Sequence, residues 1–327
     1  MQRLSRRALG AIAGSLLAAA ALPAAAQATW PARPVRIVVP YPPGTGPDIM
    51  ARAVAEGLAR EFKGSFIVEN KPGANAILGT DTVAKAPADG HTLLLVDRLT
   101  FSVNPLLYAP LPFDPRKDFV AVSNVADVNL YLAVGGALPV KDWNSFIDYA
   151  KQRPGQVPFG TGGAGSIMHL NMELIQAATG VQFLHVPYKA LAEVVPAMLG
   201  GQVAATSGGA EALLPHAKAG KMKLLAVGAE ARVPITPDVP TARDAAGADV
   251  LMSTSWSLHA RAGTPADITA KLQAALVKVL GAPELQEWTS ARGMRARASA
   301  GREVEAQITA DSERLGKLVR ERGIKVQ

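Results

Sequence analysis

Apolar residues along the chain fall into two alternating registers. Short β-branched runs such as Val35-Arg36-Ile37-Val38-Val39 are closed by Pro, Gly or Asp, and longer segments follow with apolar residues three or four positions apart. The first register predicts buried strands and the second amphipathic helices. In the opening unit, Met50, Val54, Leu58 and Phe62 share one side of a helix for which Asp48 is the predicted N-cap. The Pro/Gly cluster Pro40-Tyr41-Pro42-Pro43-Gly44-Thr45-Gly46-Pro47 separates that helix from the strand. Such a loop sits at the carboxyl end of its strand, beside the free N–H groups of the helix start. Those donors and the positive end of the helix dipole suit an anion, so the loop is expected to form half of a carboxylate-binding cleft.

The same alternation continues. Strands are expected at 65–70 and 91–96, with a small-residue helix at 76–85 between them. Apolar chain at 119–134 is long for one strand, and its middle, 126–132, is expected to cross into a second lobe. That lobe is predicted to hold helices at 142–152, 166–178, 191–199 and 211–219, and strands at 157–160, 183–186, 202–206 and 223–228. Residues 254–260 would bring the chain back, and helices at 266–280, 283–292 and 302–322 would pack on the first lobe. The expected fold class is α/β, each lobe a mainly parallel sheet covered by helices, the two joined by two hinge strands. Lobe 1 would comprise 29–127 plus 255–327, and lobe 2 residues 128–254.

The first residues change the picture of where this fold works. Arg3, Arg6 and Arg7 precede an apolar stretch at 8–22, and Ala26-Gln27-Ala28 offers an A-x-A cleavage site. Residues 1–28 therefore read as a signal peptide cleaved after about Ala28, too short for a span of ~20 apolar residues, and the mature protein as periplasmic. Sec and twin-arginine export both fit Ser5-Arg6-Arg7-Ala8-Leu9.

Composition mainly excludes. Removing the three signal arginines takes the formal charge from +7 to +4; basic residues are scattered and only 5% of residues are aromatic, unlike a nucleic-acid-binding surface. With no cysteine there is no disulfide framework, and the five histidines lack metal-ligand spacing, so no metal is expected.

Two further stretches bear on a ligand. Asp97-Arg98-Leu99-Thr100 follows the third predicted strand and would lie at the same carboxyl edge as the first loop. There Arg98 offers a planar fork to a carboxylate; an Asp97–Arg98 surface pair is the other reading. Gly160-Thr161-Gly162-Gly163-Ala164-Gly165 matches G-x-G-x-x-G between a strand and a helix, but no acidic residue ends the next strand, where His185-Val186-Pro187 stands. A dinucleotide cofactor is not expected, whereas a carboxylate at the helix N-terminus is, with Thr161 and Ser166 hydroxyls as added donors. No acid, histidine and serine are placed together as a catalytic set.

These segments resemble the receptors of tripartite tricarboxylate transporters, the Bug-type periplasmic binding proteins. The resemblance runs along the mature chain through Trp30-Pro31-Ala32-Arg33-Pro34, Val68-Glu69-Asn70-Lys71-Pro72-Gly73-Ala74, Ala88-Asp89-Gly90-His91-Thr92-Leu93, Asn104-Pro105, His185-Val186-Pro187-Tyr188-Lys189, Leu199-Gly200-Gly201-Gln202-Val203 and Ala262-Gly263-Thr264-Pro265. It implies a two-lobed, type II-like periplasmic-binding-protein fold and a monomeric, non-enzymatic receptor without cofactor. Such a receptor delivers a small carboxylate to membrane permease subunits. It implies ligand contacts from Tyr41, Pro42, Gly44, Thr45, Gly46 and Asp48, from Arg98 and Thr100, from Thr161, Gly163, Ser166 and Ile167, and from Ser207 and Gly208. Departures from the family pattern are Pro47, Arg98, Ala204 in place of an acid, and Gly208-Gly209 in place of an Asp-Asn pair. Few second-lobe acids and a cation at Arg98 predict a di- or tricarboxylate or an aromatic acid, without an amino group, because an ammonium wants a carboxylate partner. Other readings are a ligand-sensing partner of a membrane kinase and an exported hydrolase using Ser166 or Ser207.

Overall fold

The computed structural model describes residues 30–325, so the expected signal peptide and its cleavage point lie outside the described residues. The fold below is that of the unit beginning at Arg33. Its strands are β1 (Val35–Val39), β2 (Phe66–Asn70), β3 (Thr92–Asp97), β4 (Phe119–Val128), β5 (Leu130–Gly135), β6 (Val157–Thr161), β7 (Phe183–Pro187), β8 (Ala205–Gly209), β9 (Met222–Val227), β10 (Thr254–Arg261) and β11 (Met294–Ala296). Its helices are α1 (Gly46–Phe62), α2 (Ile77–Ala84), α3 (Leu99–Ser102), α4 (Asn104–Leu107), α5 (Trp143–Lys151), α6 (Ile167–Thr179), α7 (Leu191–Leu199), α8 (Ala210–Lys218), α9 (Ala242–Ala246), α10 (Ala266–Gly281), α11 (Pro283–Ser290) and α12 (Gly301–Glu321).

The strands form two sheets, ordered β11-β4-β10-β3-β1-β2 and β7-β6-β8-β5-β9. Each sheet is mixed. β1 pairs in parallel with β2 and β3, and β6 with β7 and β8, because a helix carries the chain back between them. The antiparallel pairs involve the strands at the crossings, with β11 added at the edge beside β4. β4 ends at Val128 and β5 starts at Leu130, so one residue, Asn129, separates strands in different sheets. β10 lies antiparallel between β3 and β4, with Thr254 opposite Val128.

Burial follows the pattern of the sequence. Val35, Ile37, Val38 and Val39 are fully buried and Arg36 is exposed; in the interior strand β3, Leu93 to Val96 are all at 0% exposure, as expected where both faces are covered. In the second sheet β5 alternates: Leu132 and Val134 join a cluster with Phe146, Phe159 and Phe183, while Tyr131 and Ala133 face Val194 and Leu213. Helix α12 packs on the first sheet and reaches helix α6, since Leu315 and Val319 share a cluster with Leu99, Val103, Leu170 and Met252.

Two local expectations are corrected. The N-cap of α1 is Thr45, not Asp48, because Pro47 is tolerated in the first turn, where an N–H has no intrahelical acceptor. Strand β8 is shifted three residues along from 202–206, so Ser207, Gly208 and Gly209 are ladder residues opposite Leu132, Tyr131 and Leu130. The shift is sterically sensible, since a Cβ at Gly208 would lie 2.5 Å from Leu191.

Phe159 of β6, at 0% exposure against Phe183 of β7, tests how far the second sheet depends on its aromatic core. Phe159→Ala is expected to lower unfolding free energy by about 3–5 kcal/mol in urea titrations.

Candidate functional site

Three loops at strand ends and the first turn of α8 converge on one cavity of about 660 Å³. In the first loop, Gly44 adopts φ +80°, a left-handed turn that glycine takes without strain. The buried Asp48 carboxylate accepts from the Gly44 N–H at 2.8 Å and from Asn70 Nδ2 at 2.8 Å, and pairs with Arg52 at 2.9 Å. Asn70 also donates to the Tyr41 carbonyl, so the end of β2 holds the loop in shape. Burial raises the Asp48 pKa, but Arg52, the Gly44 N–H and Asn70 together outweigh it and hold the carboxyl below its ordinary range.

The second loop follows β3. Asp97 accepts from the Leu99 N–H at 2.9 Å and from the Thr254 hydroxyl at 2.8 Å, and its own N–H donates to the Tyr41 hydroxyl. Burial pushes the Asp97 carboxyl up to about 6, with the Leu99 N–H, Thr254 and Arg98 pulling against it. Burial, then the Asp97 charge, pushes the Tyr41 hydroxyl well above the usual tyrosine value.

The third loop joins β6 to α6. Gly163 and Gly165 take φ of +101° and +76°. Ser166 caps α6: its hydroxyl accepts from the His169 N–H and donates to the Gly163 carbonyl at 2.7 Å. The His169 Nδ1 accepts from the Gly165 N–H at 2.9 Å, and its ring stacks on His185 at 4.2 Å. Burial, then the neighbouring His185, pushes His169 down to about 4, so the stacked imidazole is neutral near neutral pH.

Of the residues expected at the ligand, Tyr41, Pro42, Gly44, Thr45, Gly46, Thr100, Gly163, Ser166, Ile167 and Gly208 line the cavity. Four do not, each for a stated reason. Asp48 is turned into the Gly44 and Asn70 bonds. The Thr161 hydroxyl is taken up by His185 Nε2 at 2.6 Å. Ser207 is fully buried and receives the Asn171 amide, pointing opposite to Gly208 as neighbours on a strand do. Arg98 corrects both readings of the sequence. It neither lines the cavity nor forms a surface pair with Asp97, but makes a largely buried pair with Asp311 of α12 and a bond to Ser255.

Sequence reasoning missed Trp256, Tyr108, Tyr188, Asp97, Thr254 and Glu211, which also line the cavity. Tyr108 spans it, its hydroxyl donating to the Ala164 carbonyl. Signals existed for two of these: Trp256 sits in the predicted return crossing, and Glu211 opens the predicted helix after Gly208-Gly209.

Two substitutions separate support from contact. Asp48→Asn is expected to cost about 2 kcal/mol at neutral pH, through charge-assisted bonds lost to Gly44 and Asn70. Asp48's depressed pKa makes its contribution present above the ordinary carboxyl value of 3.8 and lost as pH falls through the folded-state value; the variant should lack that part of the acid slope in urea titrations. Arg98→Ala leaves Asp311, 7% exposed, without its main partner, and is expected to cost about 3–5 kcal/mol. Its affinity for a bound acid, measured by calorimetry, should change by less than about twofold, about 0.4 kcal/mol.

Comparison with known proteins places this geometry. A family profile described as tripartite tricarboxylate transporter family receptor matches residues 50–324. Protein BugT of Bordetella pertussis is 33% identical over 319 residues, 97% of this chain and 98% of BugT. The structure of R. palustris Rpa4515 with adipate superposes with a TM-score of 0.86 at 30% identity, over 90% of this chain and 99% of that one. MatC from Rhodopseudomonas palustris with bound malate gives a TM-score of 0.82 at 27% identity, over 89% of this chain and all of that one (100%). The chain thus belongs to the family of tripartite tricarboxylate transporter receptors, the Bug-type binding proteins.

Proposed function

We propose that this protein is a periplasmic receptor that captures a small carboxylate between its two sheets and delivers it to the permease subunits of a tripartite tricarboxylate-type transporter. The lobes would divide at the crossings, 29–127 plus 255–327 against 128–254. One observation carries the reading: α1 and α6 rise from different sheets and present their N-termini to the same cavity. The first-turn N–H groups of a helix have no intrahelical acceptor and favour an anion. Thr45 and Thr100 add hydroxyls at the same wall, while Ile49, Leu130, Ile167 and Trp256 offer apolar surface to a carbon skeleton. The body of the ligand would be aliphatic or aromatic, as in a di- or tricarboxylate or an aromatic acid. The charge-based ground for excluding an amino group no longer applies, because Arg98 is paired elsewhere and Glu211 lines the wall.

The side chains argue against hydrolysis. Ser166 gives its hydroxyl proton to the Gly163 carbonyl, and the nearby imidazole nitrogen of His169 faces a backbone N–H. Neither is arranged as nucleophile and base. Among the described residues no helix is long and apolar enough to cross a membrane, and no acid or histidine cluster could hold a metal ion.

Thermal unfolding and calorimetry of the mature protein against succinate, adipate, malate, citrate and benzoate test the reading. At least one acid is expected to bind stoichiometrically without turnover, stabilising by about 2.7 kcal/mol at a hundredfold excess over Kd. A decrease in the small-angle scattering radius should accompany binding if the sheets close on the solute. No stabilisation by any acid at millimolar concentration would overturn it.

A further inference from the structure

Within the reading of the cavity as a carboxylate site, its wall carries a charge pattern that an anion alone does not satisfy. The lining acids are Asp97, Glu193 and Glu211, and the one lining cation is Lys189, which is exposed. Asp97 is bonded to Leu99 and Thr254, and Glu193 accepts from the Lys189 N–H at the exposed mouth. Glu211 differs from both. Its Oε2 is enclosed and accepts no hydrogen bond, and among the described residues no cation acts on the carboxyl. Burial pushes its carboxyl up to about 7, against a weaker pull from its own backbone N–H.

The surroundings of this carboxyl are built around it. It stands in the first turn of α8, folded over Gly209, where a Cβ would overlap the carboxylate. On the opposite side lies Gly46, the first residue of α1, where a Cβ would be 2.9 Å from Oε1 and 2.5 Å from the Trp256 ring. Two glycines, one from each sheet's helix start, leave the space that the carboxyl and the indole fill. A carboxylate beside an aromatic ring in a low-dielectric wall is a site for a cation.

We infer that Glu211 is a specificity-determining residue that pairs with a protonated amine on the ligand, so that the cavity takes a zwitterionic carboxylate. The ligand's carboxylate would meet the helix N-termini of α1 and α6, and its ammonium the Glu211 carboxylate and the Trp256 ring. An amine-free acid would instead bring its charge toward an enclosed carboxyl with no counter-ion.

Matched pairs measured by calorimetry on the mature protein test this: aspartate against succinate, γ-aminobutyrate against butyrate, and phenylalanine against hydrocinnamate. In at least one pair the amine-bearing member is expected to bind at least tenfold tighter. Glu211→Gln, which keeps the shape and offers a donor, should cut that affinity at least tenfold and leave the amine-free acid unchanged or tighter. Amine-free members binding as well as or better than their partners would overturn the cation site and leave the carboxylate reading intact. Retention of the amine preference in Glu211→Gln and Glu211→Ala would overturn the assignment to Glu211. Binding by no member of any pair would overturn both readings. The wild-type comparison needs no variant to fold.

Discussion

The pairing of β4 with β10 constrains everything else in this molecule. These two antiparallel neighbours are interior strands of the first sheet, and β4 passes into β5 of the second sheet with Asn129 as the only intervening residue. So short a connection fixes the carboxyl edges of both sheets near one another. It brings loops separated by more than a hundred residues, those at Gly44 and Gly163, to a single cavity. Thr254 and Trp256 lie on the same strand pair, which is why both contribute to the cavity floor. The site is therefore a product of topology first and of side chains second.

Within that frame, the polar groups separate into those that shape the walls and those that face the ligand space. Asp48, Thr161, Ser207 and Arg98 spend their hydrogen bonds on Gly44, His185, Asn171 and Asp311. Asp48, Thr161 and Ser207 are buried and Arg98 is largely so, and each has a partner, the usual requirement for leaving water. What remains toward the cavity is mostly backbone N–H at helix starts, with hydroxyls and aromatic surface. Such a wall suits a carboxylate without a fixed cation, and the Glu211 Oε2 stands enclosed within it without a hydrogen-bond donor.

The alternation of registers in the sequence made the order of strands and helices legible, because a period of two and a period near four are set by backbone geometry alone. The first loop and the glycine loop were legible for the same reason: each stands between a buried strand and an amphipathic helix. Arg98 was not, because its partner Asp311 lies 213 residues away, and nothing local to 97–100 records that helix α12 passes over the loop. Asp48 illustrates a subtler limit. Its side chain reads as an N-cap, but the cap falls at Thr45 and Asp48 instead ties the loop to β2 through Asn70, a contact that only strand pairing creates. The mixed character of each sheet was also hidden, since strand direction at the crossings depends on where the chain re-enters the fold.

The path of α12 has a consequence for the energetics of capture. Leu315 and Val319 bury themselves with Leu170 and Met252, and Arg322 grips Glu173 on α6 at 2.7 Å. This seam runs from the cavity wall at Leu99 and Ile167 outward along α12. A movement of one sheet against the other would strain that apolar seam and the bond between Arg322 and Glu173, which is 9% exposed. If the receptor closes on its solute, the free energy between open and closed forms would reside partly in these residues outside the cavity wall. Affinity would then equal that of the closed form scaled by how often the seam is shut. The tail of the chain would then act as a latch on the same side as the ligand.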